Sequence, residues 1–430
     1  MPSGSRAEVS PTLPMIQQQI ARLAVLPEIR AAFAWLHAEE AQFANWQIEL
    51  ARIPAPPFGE AARGEWLQKR FRALELEDVH IDSIGNVFGM HSACTKRADK
   101  SGPAQHCVAL SAHIDTVFPA GTPLNIRQQG NRLYGPGVSD NGAGAAALLA
   151  VAAALRAAKV ALATPVLFIG NVGEEGEGDL RGMRHIFSHP RWKDSIRCSL
   201  VLDGAGSDTI VAEALGSRRF EIIVRGPGGH SWSDFGMPNP ILVLARTIES
   251  FSRTSLPSSP KTTFNVGVIR GGTSVNSIPE SASMRIDIRS TSMVEMERLE
   301  ASLRFALEQA LAEESHASDR RTPSPRHFSS LSHEVVPIGN RPAGELDASA
   351  RILKVIRAVD AHLGNAAQIQ RASTDANIPL SMGREAIAIG GGGVGGGAHT
   401  LQEWFDCGGR ELGLKRILLT LLALAGVAER

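Results

Sequence analysis

Three apolar runs, each closed by a short loop carrying an acidic residue or a histidine, constrain the fold of this chain more than any other feature. CVALSAHIDTV closes on His113 and Asp115, TPVLFIGNVGEEGEG on Glu174 and Glu175, and SLVLDGAG on Asp203. Between the first two runs lies SDNGAGAAALLAVAAALRAAK, an apolar stretch of helical length. Strands alternating with helices of this length form crossover units around a largely parallel sheet, covered on both faces. Ligands of such sheets sit beyond the carboxyl ends of the strands. That is where these polar residues fall.

The rest of the chain completes the outline. Apolar residues recur at helical spacing from Pro14 to about Glu49 and again from Ala61 to Leu74, and VHIDSIGNVFGMH alternates as strands do. The texture changes near Gly216. Phe220 to Val224, TTFNVGVIRGG and SASMRIDIRS read as strands, PNPILVLARTIESFSR and Met293 to Glu314 as helices, and HEVVPIG as a last strand. The polar stretch Ser315 to Pro325 reads as an exposed loop. The expected class is α/β: a mixed, largely parallel sheet with helices on both faces, interrupted by a smaller α+β domain. Residues 1–215 and 341–430 form the larger domain and residues 216–340 the insert.

Composition narrows the partners. The 430 residues carry 44 Lys plus Arg against 44 Asp plus Glu, so no overall field draws polyanions, and nucleic acid is not expected as a main partner. The apolar stretches Ala143–Leu155 and Ile417–Ala428 fall short of the roughly 20 residues a bilayer core requires, and both read as buried helices. No membrane partner is expected. MPSGSRAEVSPTLPM holds no apolar h-region, which makes a cytoplasmic location the expectation. Cys94, Cys107, Cys198 and Cys407 form no CxxC pair, so a metal would be held by histidine and carboxylate.

Individually, the polar residues admit ordinary readings. His113 and Asp115, two apart on a strand, share a face, so the carboxylate can orient a ligating imidazole, or the two can form a simple hydrogen-bonded pair. Asp140, in GVSDNGAG, precedes Asn141, which can cap the next helix, and on its own reads as a turn aspartate. Glu174 and Glu175 fit a solvated acidic turn equally well. His399 follows GGGVGGGA, where Gly395–Gly397 let backbone approach a ligand; without a following GK[ST] the run is no phosphate cradle. His185 and His189 are assigned no chemistry. Jointly, two histidines and three carboxylates can hold two divalent ions with one carboxylate bridging, and these donors suit zinc, manganese or cobalt. Glu174 would then be left to move a proton.

The motifs SAHIDTVFP, GPGVSDNGAG, GEEGEGDLRG, VLDG, GPGGHSW and GGAHT, in this order over residues 111–400, resemble the signatures of the M20 metallopeptidases. That family includes peptidase T, glutamate carboxypeptidase, acetylornithine deacetylase and succinyl-diaminopimelate desuccinylase. The resemblance implies a catalytic domain interrupted by a lid, and two divalent ions, zinc first, with cobalt or manganese next. It places His113 and Asp203 on one ion, Glu175 and His399 on the other, and Asp140 between them. Asp115 would orient His113, Glu174 would be the general base, and the peptide between Asp140 and Asn141 would be cis. His230 in GPGGHSW resembles the lid histidine that steadies a tetrahedral oxyanion, with a turn-stabilising histidine as the other reading. Asn276 in GGTSVNSIPE and Arg289 in RIDIRS resemble residues that grip a substrate carboxylate, and Arg289 could equally form a surface ion pair.

The substrate is then a small peptide or an N-acyl amino acid. EEGEGDLRG and GGHSW resemble the peptidase T side, which favours a small-peptide exopeptidase over a deacylase. A non-catalytic binding protein on the same scaffold is the third reading, but such a relic should have lost ligands, and all five and the base are present. A homodimer through the lid is implied by resemblance, and whether His230 serves its own site or a partner's stays open.

Overall fold

The structure, a computed structural model, describes residues 12–94, 106–321 and 331–428. It divides into two compact units, Met1–Ala214 with Glu345–Arg430, and Leu215–Gly344. The opening segment read for a leader lies almost wholly outside the described residues.

The first unit is built on a mixed sheet whose central strands run in the order Val166–Asn171, Cys107–His113, Ile196–Leu202 and Glu385–Ile389, all parallel. Val87–His91 and Glu77–Ile81 extend one side antiparallel, and Thr209–Ala214 with Gln368–Ala372 extend the other. Alternate residues of the central strands enter different cores, as strand geometry requires. Cys107, Ala109, Leu167 and Ile169 pack with Met183, Ile186 and Phe187 of the helix Arg181–Ser188. Val108, Leu110, Val166 and Phe168 instead join the larger core with the helices Gly142–Ala157 and Arg410–Ala425. Both helices are buried along almost their whole length, which accounts for the apolar stretches Ala143–Leu155 and Ile417–Ala425, the latter broken only by Thr420. Among the described residues no helix is long and apolar enough to cross a membrane. The amino-terminal helices Leu13–Val25, Pro27–Ala38 and Glu40–Ala51 add Ile16, Ile20, Ile29, Leu36 and Phe43 to the same core.

The second unit is an antiparallel sheet in the order Thr262–Gly271, Ser281–Ser290, Gly216–Arg225 and Ser332–Arg341. Helices Pro240–Ser252 and Met293–Arg321 bury its apolar face, with Ile222, Val224, Met284 and Ile286 meeting Val243, Leu299 and Leu303. The loop expected from Ser315 is helix as far as Arg321, and residues 322–325 lie outside the described residues. Polarity misleads here because the charges are internally paired: Glu314, fully buried, accepts hydrogen bonds from Arg246, Arg321 and the backbone N–H of Asn239. Ser318 further ties the last turns to the carbonyl of Gly236 at 2.5 Å.

Candidate metal centre

Three of the four parallel strands deliver polar residues at or just beyond their carboxyl ends. His113 is the last residue of its strand and pairs in register with Asn171 on the neighbouring one, three residues before Glu174. Asp203 directly follows the strand Ile196–Leu202, its N–H donating to the carbonyl of Ile389 at 2.9 Å. Asp140 sits where the chain enters the helix Gly142–Ala157, and the Asp140–Asn141 peptide is cis. Asn141 caps that helix by accepting the N–H of Gly144 at 3.1 Å. The same side chain accepts from Gly204 N–H and donates to the carbonyl of Leu202, both at 2.9 Å, so the Asp140 turn is fastened to the strand that carries Asp203.

His399 lies far along the sequence, with φ at 65°, a left-handed conformation uncommon outside glycine. The glycines before it are required by contact: a Cβ on Gly395 would collide with Ser139, beside Asp140. The chain is thus free to bring His399 against the Asp140 turn. Its Nε2 stands 3.1 Å from Asp140 Oδ2 and 3.1 Å from Glu175 Oε1.

On the other side, His113 Nε2 is 3.2 Å from Asp140 Oδ1 and 3.7 Å from Asp203 Oδ1. Each oxygen of Asp140 therefore faces a different histidine. His113, Asp140 and Glu175 each offer a ligand atom within 4.8 Å of the others. Around a tetrahedral zinc with bonds of about 2.0–2.1 Å, ligand atoms are roughly 3.3 Å apart, close to these separations. His113 Nε2 and Asp140 Oδ1 are buried and make no hydrogen bond despite their proximity, a fault in a protein interior unless something else satisfies them. The donor set of His113, Asp140 and Glu175 fits a divalent cation.

The electrostatics point the same way. Burial opposes a charge on His113, yet Asp115, Asp140 and Asp203 outweigh it and carry the ring well above its usual range. Asp140 and Glu175 lift His399 to about 10. Carboxylates that draw protons onto imidazoles mark a place short of positive charge, which a divalent ion supplies directly.

The comparisons with known proteins bear on what such a centre belongs to. Residues 109–423 match the Peptidase family M20/M25/M40. The chain belongs to the M20/M25/M40 peptidase family. A probable carboxypeptidase of Uncinocarpus reesii is 28% identical over 274 residues, covering 56% of this chain and 59% of that protein. Carboxypeptidase G2 of a Pseudomonas species is 24% identical over 233 residues, 54% of this chain and 55% of its own. The chain spans about half the length of the curated relatives it matches. Among solved structures, the aminopeptidase PepT of Bacillus cereus superposes with a TM-score of 0.69 at 20% identity, covering 90% of this chain and 99% of its own. A tripeptidase of Staphylococcus aureus gives 0.68 at 20% identity, with 90% and 98% covered. Both share the fold of this M20 chain.

The remaining residues implicated by the M20 resemblance lie in the second unit. His230 is exposed on a short ribbon in which Gly229–His230 pairs with Ser277–Ile278, and the carbonyl of the adjacent Asn276 accepts the N–H of Ser231. The His230 Nδ1 accepts the N–H groups of Trp232 and Ser233 at 3.2 and 3.4 Å, which places the ring proton on Nε2. Arg289 is elsewhere. It pairs with Ser217 across the sheet and its Nε donates to Asp287 at 2.6 Å, the surface ion pair that its strand position also allowed. Ser281, at the end of that strand nearest the ribbon, lies about 26 Å from Arg289 at about 3.3 Å per residue. The structure brings Asn276 to His230 and leaves Arg289 apart.

Two residues of the first unit escaped the sequence reading. Glu403 is fully buried and accepts three backbone N–H groups from residues 137–140. Burial pushes its carboxyl up to about 7 against the pull of those donors. Arg63, also buried, donates to the carbonyls of Ile53 and Ile114 at 2.7 and 2.9 Å. It provides the cation near both Asp115 and Glu403. Neither belongs to a recognisable motif; the sole hint was an acidic residue four places after His399.

Proposed function

We propose that this protein is a metal-dependent amide hydrolase that removes terminal residues from small peptides. The observation that carries this reading is the convergence of His113, Asp140, Glu175, Asp203 and His399 at the carboxyl ends of the strands, with Glu174 beside them. Two divalent ions bound by these residues, zinc first, would polarise a carbonyl and acidify water. Asp140 would be common to both ligand sets, with His113 and Asp203 on one side and Glu175 and His399 on the other. Glu174 would take the proton of the attacking water and return it to the departing amine. His230, donating through Nε2, would meet the negative charge that develops on the substrate oxygen.

The exopeptidase reading is supported by likeness to proteins described as an aminopeptidase, a tripeptidase and carboxypeptidases. These differ in the terminus they attack. The deciding experiment is a panel of dipeptides, tripeptides, terminally blocked peptides and N-acyl amino acids, assayed with zinc, manganese or cobalt. Turnover of free di- or tripeptides is expected. Turnover of N-acyl amino acids alone would move the assignment to a deacylase, and none on any amide would overturn it.

A further inference from the structure

We propose that Glu403 is a positioning residue that locks the Asp140 turn and the His399 turn into one frame able to receive the metal pair. The inference rests on the metal-centre reading. Oε1 of Glu403 accepts the N–H groups of Ser139 and Asp140, each at 2.7 Å, and Oε2 accepts that of Gly137 at 2.8 Å. Its main-chain carbonyl accepts the N–H of Gly135, also at 2.8 Å. Four donors of the irregular stretch 135–140 thus converge on one side chain and its own carbonyl. Without them that stretch would leave buried N–H groups unpaired.

The second turn meets the same residue. Glu403 donates its own N–H to the carbonyl of Thr400 at 3.2 Å, and Thr400 in turn donates its N–H to the carbonyl of Gly397 at 3.1 Å, closing the turn in which His399 is left-handed. Trp404–Asp406, the strand that begins at the next residue, pairs with Val394–Gly396 on one side and Arg132–Tyr134 on the other. Asp140 and His399, 3.1 Å apart at their facing atoms, are therefore both linked to Glu403, directly on the Asp140 side and by way of Thr400 on the His399 side.

A buried carboxylate is costly to keep, and a glutamine would fill the same volume. It could not do the same work. An amide has one acceptor oxygen and would turn its NH₂ toward an N–H donor, leaving at least one loop N–H unsatisfied beside Asp140. Residues behind a metal's ligands commonly govern affinity in this way, and losing one costs roughly 10- to 100-fold.

The experiment compares Glu403→Gln with the unaltered chain in two readouts: the zinc or cobalt dissociation constant by competition with a chelator, and thermal unfolding with and without the ion. An ion that binds the folded state raises Tm according to its affinity. Glu403→Gln is expected to bind the ion roughly 10- to 100-fold more weakly and to show a smaller ion-dependent rise in Tm. Arg132→Ala serves as the control, because it breaks an exposed ion pair with Asp406 on the same small sheet, 2.7 Å long, without touching the turns. It should keep the full rise. If Glu403→Gln lowers Tm equally with and without the ion, at unchanged affinity, the role is merely structural and the proposal fails. Should that variant not fold, Glu403→Asp keeps the charge but not the reach; weakened binding supports the proposal and unchanged binding overturns it. An unaltered chain that ignores every divalent ion would overturn the metal-centre reading, and this inference with it.

Discussion

Asp115 accepts the backbone N–H of Glu174 at 3.1 Å through one oxygen and that of Glu175 at 2.8 Å through the other. It is fully buried, and His113 Nδ1 lies 3.2 Å from its carbonyl oxygen and 3.6 Å from Oδ1. One aspartate thereby fixes a histidine of the metal group and the chain direction of the two glutamates after the next strand. Its proposed role widens from orienting His113 to aiming Glu174.

Two substitutions separate these roles. Glu174→Ala should retain its metal and lose roughly 100- to 10,000-fold in kcat, the usual worth of a positioned proton carrier. Asp115→Asn should lose activity as well, but with weakened metal binding, because its amide would face an N–H donor and His113 would lose a buried anion. Metal content per chain after dialysis, measured beside kcat, checks both. Near-normal turnover in Glu174→Ala would remove the base assignment.

His399 supplies the imidazole nearest Glu175, its Nε2 3.1 Å from Oε1, while His113 offers an atom within 4.8 Å of the same residue. His399→Ala should therefore release one ion more readily while His113, Asp140 and Asp203 keep the other. Dialysis against a weak chelator, followed by elemental analysis, should find about half the metal of the unaltered chain. Loss of both ions at the same chelator concentration would show that the two sites are not separable.

Much of this centre was legible because its chemistry sits at the ends of apolar strands, where sheet geometry leaves few places for a ligand. His113, Asp203 and Glu175 could be read from those endings. His399 could not be read that way and was expected only from the resemblance of GGAHT, since its position depends on Gly395 packed against Ser139 and on the turn closed between Gly397 and Thr400. Glu403 and Arg63 were invisible for a related reason: their partners are backbone atoms distant in sequence, and backbone leaves no signature in composition. The polar tail of Met293–Arg321 misled because Glu314 finds its counter-charges inside the fold.

Arg289 and the His230–Asn276 ribbon are separated by about 26 Å of strand, at about 3.3 Å per residue. A substrate of two or three residues cannot touch both within one copy of the chain. If both serve one substrate, two copies must contribute, which is the reading we propose for the homodimer. Mixing His230→Ala chains with Glu174→Ala chains, each inactive alone, should then restore activity as subunits exchange. Mixed dimers that stay inactive would confine His230 to its own active site.

Arg416 and Asp360 form a two-pronged buried ion pair, Nε to Oδ1 at 2.6 Å and Nη2 to Oδ2 at 2.9 Å. The arginine also donates to the carbonyl of Thr209 at 3.2 Å, and Asp360 accepts from Asn365 at 2.7 Å. Through these contacts the carboxyl-terminal helix is joined to the helix Arg351–Leu363 and to the strand beginning at Thr209. Removing one partner leaves a buried charge uncompensated, so Arg416→Leu should cost about 3–5 kcal/mol, whereas an apolar replacement of both partners is commonly near neutral. The double variant Arg416→Leu with Asp360→Leu should accordingly recover much of the loss, though not the part owed to Thr209 and Asn365. Urea unfolding of the metal-free chain checks this. If the double variant were less stable than Arg416→Leu alone, the pair would not be the source of the cost.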